Sequence, residues 1–400
     1  MSDIIDGTEG KILLSIVIPV YNVLPYLGEL LASLSGFDRP DVELLFVGDC
    51  DQDGSIEHIR QSRSRFANCL VTIVENEQNR GLSRSRRVGL EACRGEYVWF
   101  LDSDDIVISD HATTLLEIMD RTKCDFIAFD FFYFAEPPRR QLEHHVSRRP
   151  FRVPHAAQPG GIQYVSWIPQ TRLLPAGKVM KDRSEYITGY FADEMMYAWL
   201  FAAKRDLLLG IDFPDRMSFE DIATVPAMLM RTSAMYYLPL RLVGYRQRAG
   251  SIMSTRSPQK GLDILSAMDR HIAEFEALRP ELSRQAQAHF LAFFLRVILW
   301  AEQMINAGGG FRYNVPPELI EVHKRFKDLT RGFEKEVLWL AIKAFRTRHD
   351  RRFENIPDLS ELLATGRTKV AARSPNLYRF LFGMHRPRRS KILQWVSIFM

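Results

Sequence analysis

Short apolar segments alternate with amphipathic ones along the first hundred residues. Four runs rich in β-branched and large apolar residues lie at residues 11–19, 42–47, 70–74 and 97–101. Such runs are typical of strands buried on both faces of a parallel sheet. Segments with helical spacing separate them, at residues 26–35, 55–66 and 82–93. This alternation predicts a doubly wound α/β sheet whose ligands bind beyond the carboxyl ends of its strands.

The remaining chain predicts a lid, further mixed structure and then helices. Residues 136–175 are rich in Pro, Gly, Arg and His without clear periodicity, which predicts a long loop or lid over the site. The pattern also predicts a helix over residues 195–209, a second helix from near Asp221, and a strand over residues 236–245. Later patterns are helical. We predict a catalytic domain at residues 11–255 and a mainly helical region with a basic tail at residues 260–400.

The composition is that of an ordinary globular protein, with 46% hydrophobic and 26% charged residues. The four cysteines form no CxxC pair, which argues against a zinc site or a disulfide framework. Residues 1–10 carry acids and do not resemble a secretory signal. Residues 290–300 are apolar but too short for a membrane span, which needs about 20 residues. These features predict a cytoplasmic protein.

The positive charge is concentrated at the C-terminus. Residues 343–400 contain 13 Lys and Arg against 4 Asp and Glu, in a chain whose total net charge is only +4. Basic residues alternate there with large apolar ones, a pattern that suits a helix at an anionic lipid surface. We therefore expect peripheral contact with the inner face of the cell membrane, the alternative being a basic helix packed on its own domain.

The sequence FLDSDD at residues 100–105 places three carboxylates directly after a predicted buried strand. Crowded carboxylates need a counter-cation, and Mg²⁺ or Mn²⁺ held between carboxylates and a diphosphate would supply one. By itself the segment is equally compatible with a turn and helix cap, because Asp and Ser are favoured in both.

Six motifs decide between these interpretations, because they occur together and in order. They are LSIVIPVYN, VGDCDQDGS, NRGLSRSRRVGL, RGEYVWFLDSDD, FEDIATVPAML and YRQRAGSIM. Together they resemble family 2 glycosyltransferases of bacterial surface and capsular polysaccharide biosynthesis. The resemblance covers residues 14–254 and implies a nucleotide-diphospho-sugar transferase (GT-A) fold with Rossmann-like topology. It further implies an inverting transfer from a nucleotide sugar, expected to be a UDP-sugar, to a hydroxyl of a glycan or lipid-linked saccharide.

For the donor, the resemblance implies that Pro19, Tyr21 and Asp49 surround the base, with Asp49 accepting a hydrogen bond from a uracil-type edge. The family usually shows VDDGS, whereas this chain has Gly48, Cys50 and Asp51 at the departing positions. The identity of the nucleotide is therefore less firmly implied than the fold.

The remaining donor and metal residues follow from later motifs. Arg80 and Arg86 match basic positions that would face the diphosphate, a task suited to guanidinium groups. The resemblance assigns Asp102 to the ribose or a metal-bound water, and Asp104 to the metal itself. Arg246 and Arg248 fall near the metal and phosphates, where an arginine would stabilise the leaving diphosphate electrostatically.

Inverting transfer also needs a general base, and the SFED motif supplies the candidates. Glu220 and Asp221 match the acidic pair of the family, and Asp221 is the preferred base. Both acids would equally complement the dipole at a helix N-terminus. Trp199 borders the acceptor region by resemblance, where it would stack on a sugar or belong to the core.

Two other functions are weighed against the transferase. A nucleotidyltransferase that forms sugar nucleotides would need a glycine-rich basic loop after the first strand, and PVYNVLPYLGE contains none. A nucleic-acid-binding protein using the basic tail would need a reader motif, which the tail lacks. The sequence therefore predicts partners of nucleotide-sugar and saccharide type, and no nucleic acid.

Overall fold

The computed structural model describes residues 11–135, 165–166, 174–248, 257–306, 320–321, 324 and 328–347. The chain divides into two compact units, Met1–Thr255 and Arg256–Met400. The first unit is built on one ten-stranded sheet, and the described part of the second is helical.

The strands of the sheet are β1 Leu14–Val20, β2 Val42–Gly48, β3 Leu70–Glu75, β4 Tyr97–Phe100, β5 Ile106–Val107, β6 Phe126–Ala135, β7 Val165–Ser166, β8 Val179–Met180, β9 Phe201–Lys204 and β10 Met235–Gln247. The α-helices of the same unit are α1 Leu24–Ser33, α2 Ser55–Ser62, α3 Leu82–Ala92, α4 Ala112–Thr122, α5 Arg183–Asp193, α6 Arg205–Leu209 and α7 Glu220–Arg231.

The first four strands form a parallel half-sheet in the order β3-β2-β1-β4. All residues of β1, β2 and β4 are buried, which is why these segments are apolar except for Ser15 and Glu43, whose side chains hydrogen-bond to each other. Helix α3 packs closely on this half-sheet, since a Cβ at Gly89 would lie 2.3 Å from Val17 Cγ1. The sequence prediction is confirmed here, and the carboxyl ends of the four strands share one edge.

The sheet continues as β4-β9-β6-β10-β5 with mixed strand directions. Strand β9 is antiparallel to β4 and β6, whereas β10 runs parallel to β6. Strand β10 also pairs antiparallel with the short β5, which follows the DSDD segment. This pairing brings residues near 245 next to residues 102–105, although 140 positions separate them in the chain. The α/β fold is confirmed, with a mixed sheet in place of a wholly parallel one.

The predicted helix over residues 195–209 is wrong. Residues 195–200 are irregular, Phe201–Lys204 form β9 and only Arg205–Leu209 are helical. The apolar run FAAK fits between two strands of the sheet, where its backbone hydrogen-bonds to both neighbours. Tertiary pairing therefore overrides the helical propensity of Leu and Ala.

The second unit contains α8 Pro258–Leu278, α9 Arg284–Asn306 and α10 Lys335–Thr347. Phe275 of α8 stacks on Phe290 of α9, with ring centroids 3.6 Å apart, and Phe333 lies against Phe275. No helix in the ranges given above is both long and apolar enough to cross a membrane.

Candidate functional site

Asp49 anchors the loop that leads from β3 into α3. It directly follows β2, and its carboxylate accepts three hydrogen bonds, each 2.8 Å long. The Asn76 side-chain amide and the Arg80 backbone N–H donate to Oδ1, and the Gly81 backbone N–H donates to Oδ2. A carboxylate has about four acceptor positions, so one remains on Oδ2. The base contact of Asp49 stays a prediction, while its support of the loop is a direct observation.

Asn76 is a connecting residue that the sequence motifs do not identify. Its amide nitrogen lies 2.8 Å from Asp49 Oδ1 and 3.2 Å from Ser85 Oγ, while its carbonyl accepts from the Cys50 thiol. It therefore ties the ends of β2 and β3 to the first turn of α3. The available signal was its position, since polar residues directly after parallel strands face the ligand edge.

The departures from the VDDGS pattern have local physical reasons. A Cβ at Gly48 would lie 2.8 Å from Ile56 Cγ1, so the packing of α2 leaves little room for a side chain. Cys50 stands where the family pattern has glycine, and its backbone keeps the left-handed conformation, with φ of 61°. The loop geometry is thus maintained with a different residue, and the Cys50 thiol gains a hydrogen bond.

Arg86 lies buried between acids from two other elements. Its Nη2 donates to Asp102 Oδ1 at 2.6 Å, and its Nη1 donates to Glu220 Oε1. Burial opposes its charge, but Asp102 and then Glu220 raise the pKa of Arg86, so it stays protonated. The sequence predicted that this guanidinium faces a diphosphate. In the structure both of its terminal nitrogens are engaged by carboxylates.

The two other arginines of the α3 run differ from Arg86 in their surroundings. Arg87 pairs with Glu91 at 2.7 Å and donates to the carbonyls of Leu209 and Ile211. The Nε atom of Arg84 is buried and has no hydrogen-bond partner among the described residues. The side chain of Arg80 is partly exposed, and among the described residues it makes one long ion pair, of 3.5 Å with Asp215. Arg80 therefore remains free to approach an anionic ligand.

Glu220 and Asp221 open helix α7 beside Arg86. Glu220 is buried, and Asp221 is half-buried. Burial raises the pKa of Glu220, while Arg86 opposes this shift. Burial, and then the charge of Glu220, raise the pKa of Asp221 to about 8, again against Arg86. A carboxylate with so high a pKa is a stronger proton acceptor than an ordinary aspartate, which is the property that a general base requires.

The DSDD segment contains two accessible carboxylates and one covered carboxylate. The side chains of Asp102 and Asp104 are 23% and 21% exposed, whereas Asp105 is buried. Burial raises the pKa of Asp102, Arg86 opposes this shift and Asp104 adds to it. Burial, with Asp104 and Asp102, raises the pKa of Asp105 well above its usual value. Asp105 Oδ1 accepts from the Arg246 backbone N–H at 2.8 Å, which gives it a structural role.

Arg248 and Arg246 both reach the DSDD segment but in different ways. Arg248 Nε lies 2.5 Å from Asp104 Oδ2, and its side chain is 28% exposed. Arg246 is buried, donates to the Asp104 carbonyl at 2.6 Å and pairs with Glu29 at 2.6 Å. Tyr26 lies under both guanidinium groups. We therefore retain Arg248 as the donor-facing arginine, and Arg246 holds the loop in place.

We expect Arg246→Met to destabilise the protein by about 2–4 kcal/mol. Removing one partner of a buried ion pair typically costs roughly 3–5 kcal/mol, and Glu29 keeps some access to water, which lowers that cost. Urea unfolding, followed as a shift in midpoint at constant slope, measures the loss. Arg331→Met is the matched control, because the Arg331–Asp328 pair is solvent-exposed and worth about 0–1 kcal/mol. Equal losses for both variants would contradict the assignment.

Asp102 and Asp104 fit a divalent cation bound jointly with a diphosphate. Asp102 Oδ2 and Asp104 Oδ1 accept no hydrogen bond from the described residues, so each acid has one oxygen left for a ligand. Burial and then the charge of Asp104 raise the pKa of Asp102, and a cation would relieve the repulsion between the two acids. Within the described ranges no three His, Cys, Asp or Glu side chains are grouped to hold a metal without other ligands. The pair therefore suits a cation that is also bound by phosphate and water.

The remaining predicted site residues differ in how far their side chains are exposed. Tyr21 is 48% exposed just beyond β1, while Pro19 is buried within that strand. Trp199 is 3% exposed and lies in an aromatic cluster with Phe131, Tyr197 and Tyr245. Because neighbouring rings cover its faces, Trp199 is a core residue and its predicted acceptor contact is not retained.

Two sequence predictions lie outside the described residues. The lid was predicted at residues 136–175, of which only Val165, Ser166, Leu174 and Pro175 are described. The basic tail from residue 343 is described only to residue 347. Both remain predictions.

Comparison with known proteins agrees with this geometry. Residues 15–168 match the family model described as glycosyl transferase family 2. The glycosyltransferase GlyG of Streptococcus pneumoniae serotype 4 is 24% identical over 263 residues, covering 66% of this chain and 80% of GlyG. The putative teichuronic acid biosynthesis glycosyltransferase TuaG of Bacillus subtilis is 33% identical over 119 residues, covering 30% of this chain and 46% of TuaG. The chain therefore spans less than half the length of TuaG.

A solved structure shares the fold. S. aureus TarS 1–349, crystallised in complex with UDP-GlcNAc, superposes with a TM-score of 0.59 at 20% identity. The alignment covers 84% of this chain and 90% of the TarS fragment. At this identity the likeness establishes the architecture alone.

Proposed function

We propose that this chain is a family 2 glycosyltransferase of surface-polysaccharide biosynthesis, which transfers a sugar from a UDP-sugar to an acceptor hydroxyl with inversion and with a divalent cation. The match of residues 15–168 to the family 2 model and the similarity to GlyG and TuaG support this proposal. One observation carries the proposal. At one edge of the sheet, Asp49 after β2 holds the loop that leads into α3. Arg86 of α3 pairs there with Asp102 after β4 and with Glu220 of α7, and Arg248 after β10 pairs with Asp104. These groups are of the type needed to bind a nucleotide diphosphate and to deprotonate a hydroxyl.

The donor would lie along the ends of the first strands. Its base would contact Pro19, Tyr21 and Asp49, where Tyr21 is exposed and Asp49 retains an acceptor position. Its diphosphate would lie towards Asp102 and Asp104, within reach of Arg248 and Arg80. UDP is the favoured nucleotide because an aspartate carboxylate accepts from the uracil N–H, and TarS, which shares this fold, binds UDP-GlcNAc.

Mn²⁺ or Mg²⁺ would be held by Asp104, with Asp102 contributing directly or through water. When bound, the cation would supply charge stabilisation to the leaving diphosphate. Arg248 would add a fixed positive charge on the same side, because it stays protonated and lies on Asp104. No other step is assigned to the cation.

Asp221 would accept the proton of the acceptor hydroxyl. As that O–H bond breaks, the oxygen would attack the anomeric carbon from the face opposite the diphosphate, whose C–O bond breaks in the same step. The electron pair of that bond leaves with UDP, and the configuration of the sugar is inverted. The raised pKa of Asp221 supports this role, because the ionised carboxylate is a stronger base than an ordinary aspartate, and its ionised share grows as the pH approaches 8.

The acceptor is proposed to be a glycan or lipid-linked saccharide. The family relation supports a saccharide acceptor, and the basic composition of residues 343–400 supports peripheral contact with anionic lipid. A lipid-linked acceptor would be presented at that surface.

Nucleotide binding tests the proposal without knowledge of the acceptor. We expect UDP with MnCl2 to raise the melting temperature more than UDP alone, and more than GDP, CDP or ADP with the same metal. A ligand that binds only the folded state at 100 times its Kd adds about 2.7 kcal/mol of stability. Differential scanning fluorimetry with EDTA as the metal-free control measures the shift. Absence of any shift with every diphosphate and both metals would overturn the proposed donor site.

A further inference from the structure

Arg86 connects three parts of the chain that are distant in sequence. It lies on α3 and bonds Glu220 of α7, 134 positions later, and Asp102 after β4. Asp221, the next residue of α7, also acts on its charge. Arg86 is thus a buried cation that pairs with two acids of the candidate site and lies near the charge of a third.

The engagement of Arg86 leaves it unsuited to bind a ligand. Its side chain is 3% exposed, and Phe100 lies 6.0 Å from the guanidinium carbon. Turning towards a diphosphate would break both ion pairs and leave Glu220 without its cation. Breaking a buried pair in this way is strongly unfavourable.

We propose that Arg86 is a positioning residue, which fixes the first turn of α7 against the Asp102 loop and, together with Glu220, sets the charge around Asp221. This inference deepens the proposed function, and its catalytic consequence rests on Asp221 being the base. The structural part does not depend on the identity of the donor or of the acceptor.

Groups from several elements act on Asp221, and two of them act in opposite directions. Glu220 on the same helix raises the pKa of Asp221, and Arg86 on α3 lowers it. Asp102, which follows β4, raises the pKa of Asp221 to a smaller extent. The charge of Asp221 in turn helps to raise the pKa of Tyr197, which precedes β9. Removing Arg86 and removing Glu220 should therefore move the titration of Asp221 in opposite directions.

The titration of Asp221 can be measured by thermodynamic linkage, without any ligand. Its pKa is about 8 in the folded protein and near 3.8 when unfolded, so the folded state binds more protons between these values. The wild type should lose stability relative to Asp221→Asn as pH rises from 4 to 8, and the difference should become constant above 8. The pH at which it levels reports the folded-state pKa of Asp221.

The experiment compares this levelling point in five backgrounds of the full chain, the wild type and four variants, each with and without Asp221→Asn. We expect Arg86→Met to move it upward and Glu220→Gln to move it downward, each by about 1 pH unit, the lower end of a close charge's effect. Arg86→Lys should retain most of the wild-type value because it keeps the charge. Arg87→Met is the matched control from the same helix, and it should cause no shift.

A purely structural role for Arg86 would lower stability at every pH without moving the levelling point. That result, or shifts of the same sign in Arg86→Met and Glu220→Gln, would overturn the inference. If Arg86→Met does not fold, Arg86→Lys and Glu220→Gln decide, since an unchanged levelling point in Glu220→Gln contradicts the proposal. Loss of the UDP–Mn²⁺ thermal shift would instead count against the proposed donor site, so the two failures are distinguishable.

Discussion

Asp221→Asn is expected to lower the rate of sugar transfer by about 10²–10⁴-fold, the range by which a positioned general base contributes. The amide cannot accept the acceptor proton, yet it occupies almost the same volume beside Glu220. For the wild type, activity should rise with pH and level near pH 8, because only the ionised Asp221 acts as a base. Release of UDP from the donor–acceptor pair, measured from pH 5.5 to 9.5, tests both points.

The same variant should be more stable than the wild type at neutral and alkaline pH. The wild type must ionise Asp221 in a partly dehydrated position near Glu220, and each pH unit of raised pKa corresponds to about 1.4 kcal/mol. Higher stability with lost activity would exclude misfolding as the cause. Asp120→Asn, on the exposed face of α4, is the control and should change neither property. Unchanged transfer in Asp221→Asn would remove Asp221 from the mechanism.

Asp104→Ala is expected to abolish the dependence of donor binding on metal and to lower transfer at least about 100-fold. A bound cation supplies several kcal/mol of charge stabilisation, and about 1.4 kcal/mol corresponds to each factor of ten in rate. Asp104 is the accessible acid of the DSDD segment that contacts Arg248 at 2.5 Å. The variant should therefore also remove the hydrogen bond that positions Arg248. Titration calorimetry with UDP, with and without MnCl2, measures the coupling between nucleotide and metal.

Asp104→Asn separates the charge from the hydrogen bond. The amide oxygen can still accept from Arg248, so this variant should lose metal coupling while keeping the local structure. Asp110→Ala provides a matched control, because Asp110 is an exposed acid in the segment that follows β5. UDP binding that remains equally metal-dependent in both Asp104 variants would contradict the proposed ligand.

The predictions from sequence agree best with the structure where candidate site residues directly follow a buried strand. The four parallel strands and the positions of Asp49, Asp102 and Asp104 at one edge were predicted from apolar runs and the residues after them. They could be predicted because the burial of a parallel strand and the edge at which it ends are local properties. Strands β6 and β9 were not assigned, because pairing partners far along the chain decide whether apolar segments become strands.

The ion-pair partners of the arginines also could not be predicted from the sequence. The sequence alone does not distinguish the arginines of the NRGLSRSRR motif from one another. In the structure, Arg86 is buried and pairs with two acids, whereas Arg80 is partly exposed. Their difference depends on where α7 lies after folding. Likewise, Trp199 and Arg246 were predicted to contact ligands but became covered, because aromatic residues from β6 and α1 pack against them.

The amino-acid sequence by itself determined the α/β fold of the first unit, the resemblance of its motifs to family 2 glycosyltransferases and the residue types gathered at the sheet edge, since periodicity and motif order are properties of the linear chain. Only the tertiary structure decided which acids pair with Arg86, which aspartates keep an unbonded oxygen, and which of Arg246 and Arg248 keeps an exposed side chain. The physical reason is that charge pairing and dehydration depend on distances between residues up to 217 positions apart, and only folding sets these distances.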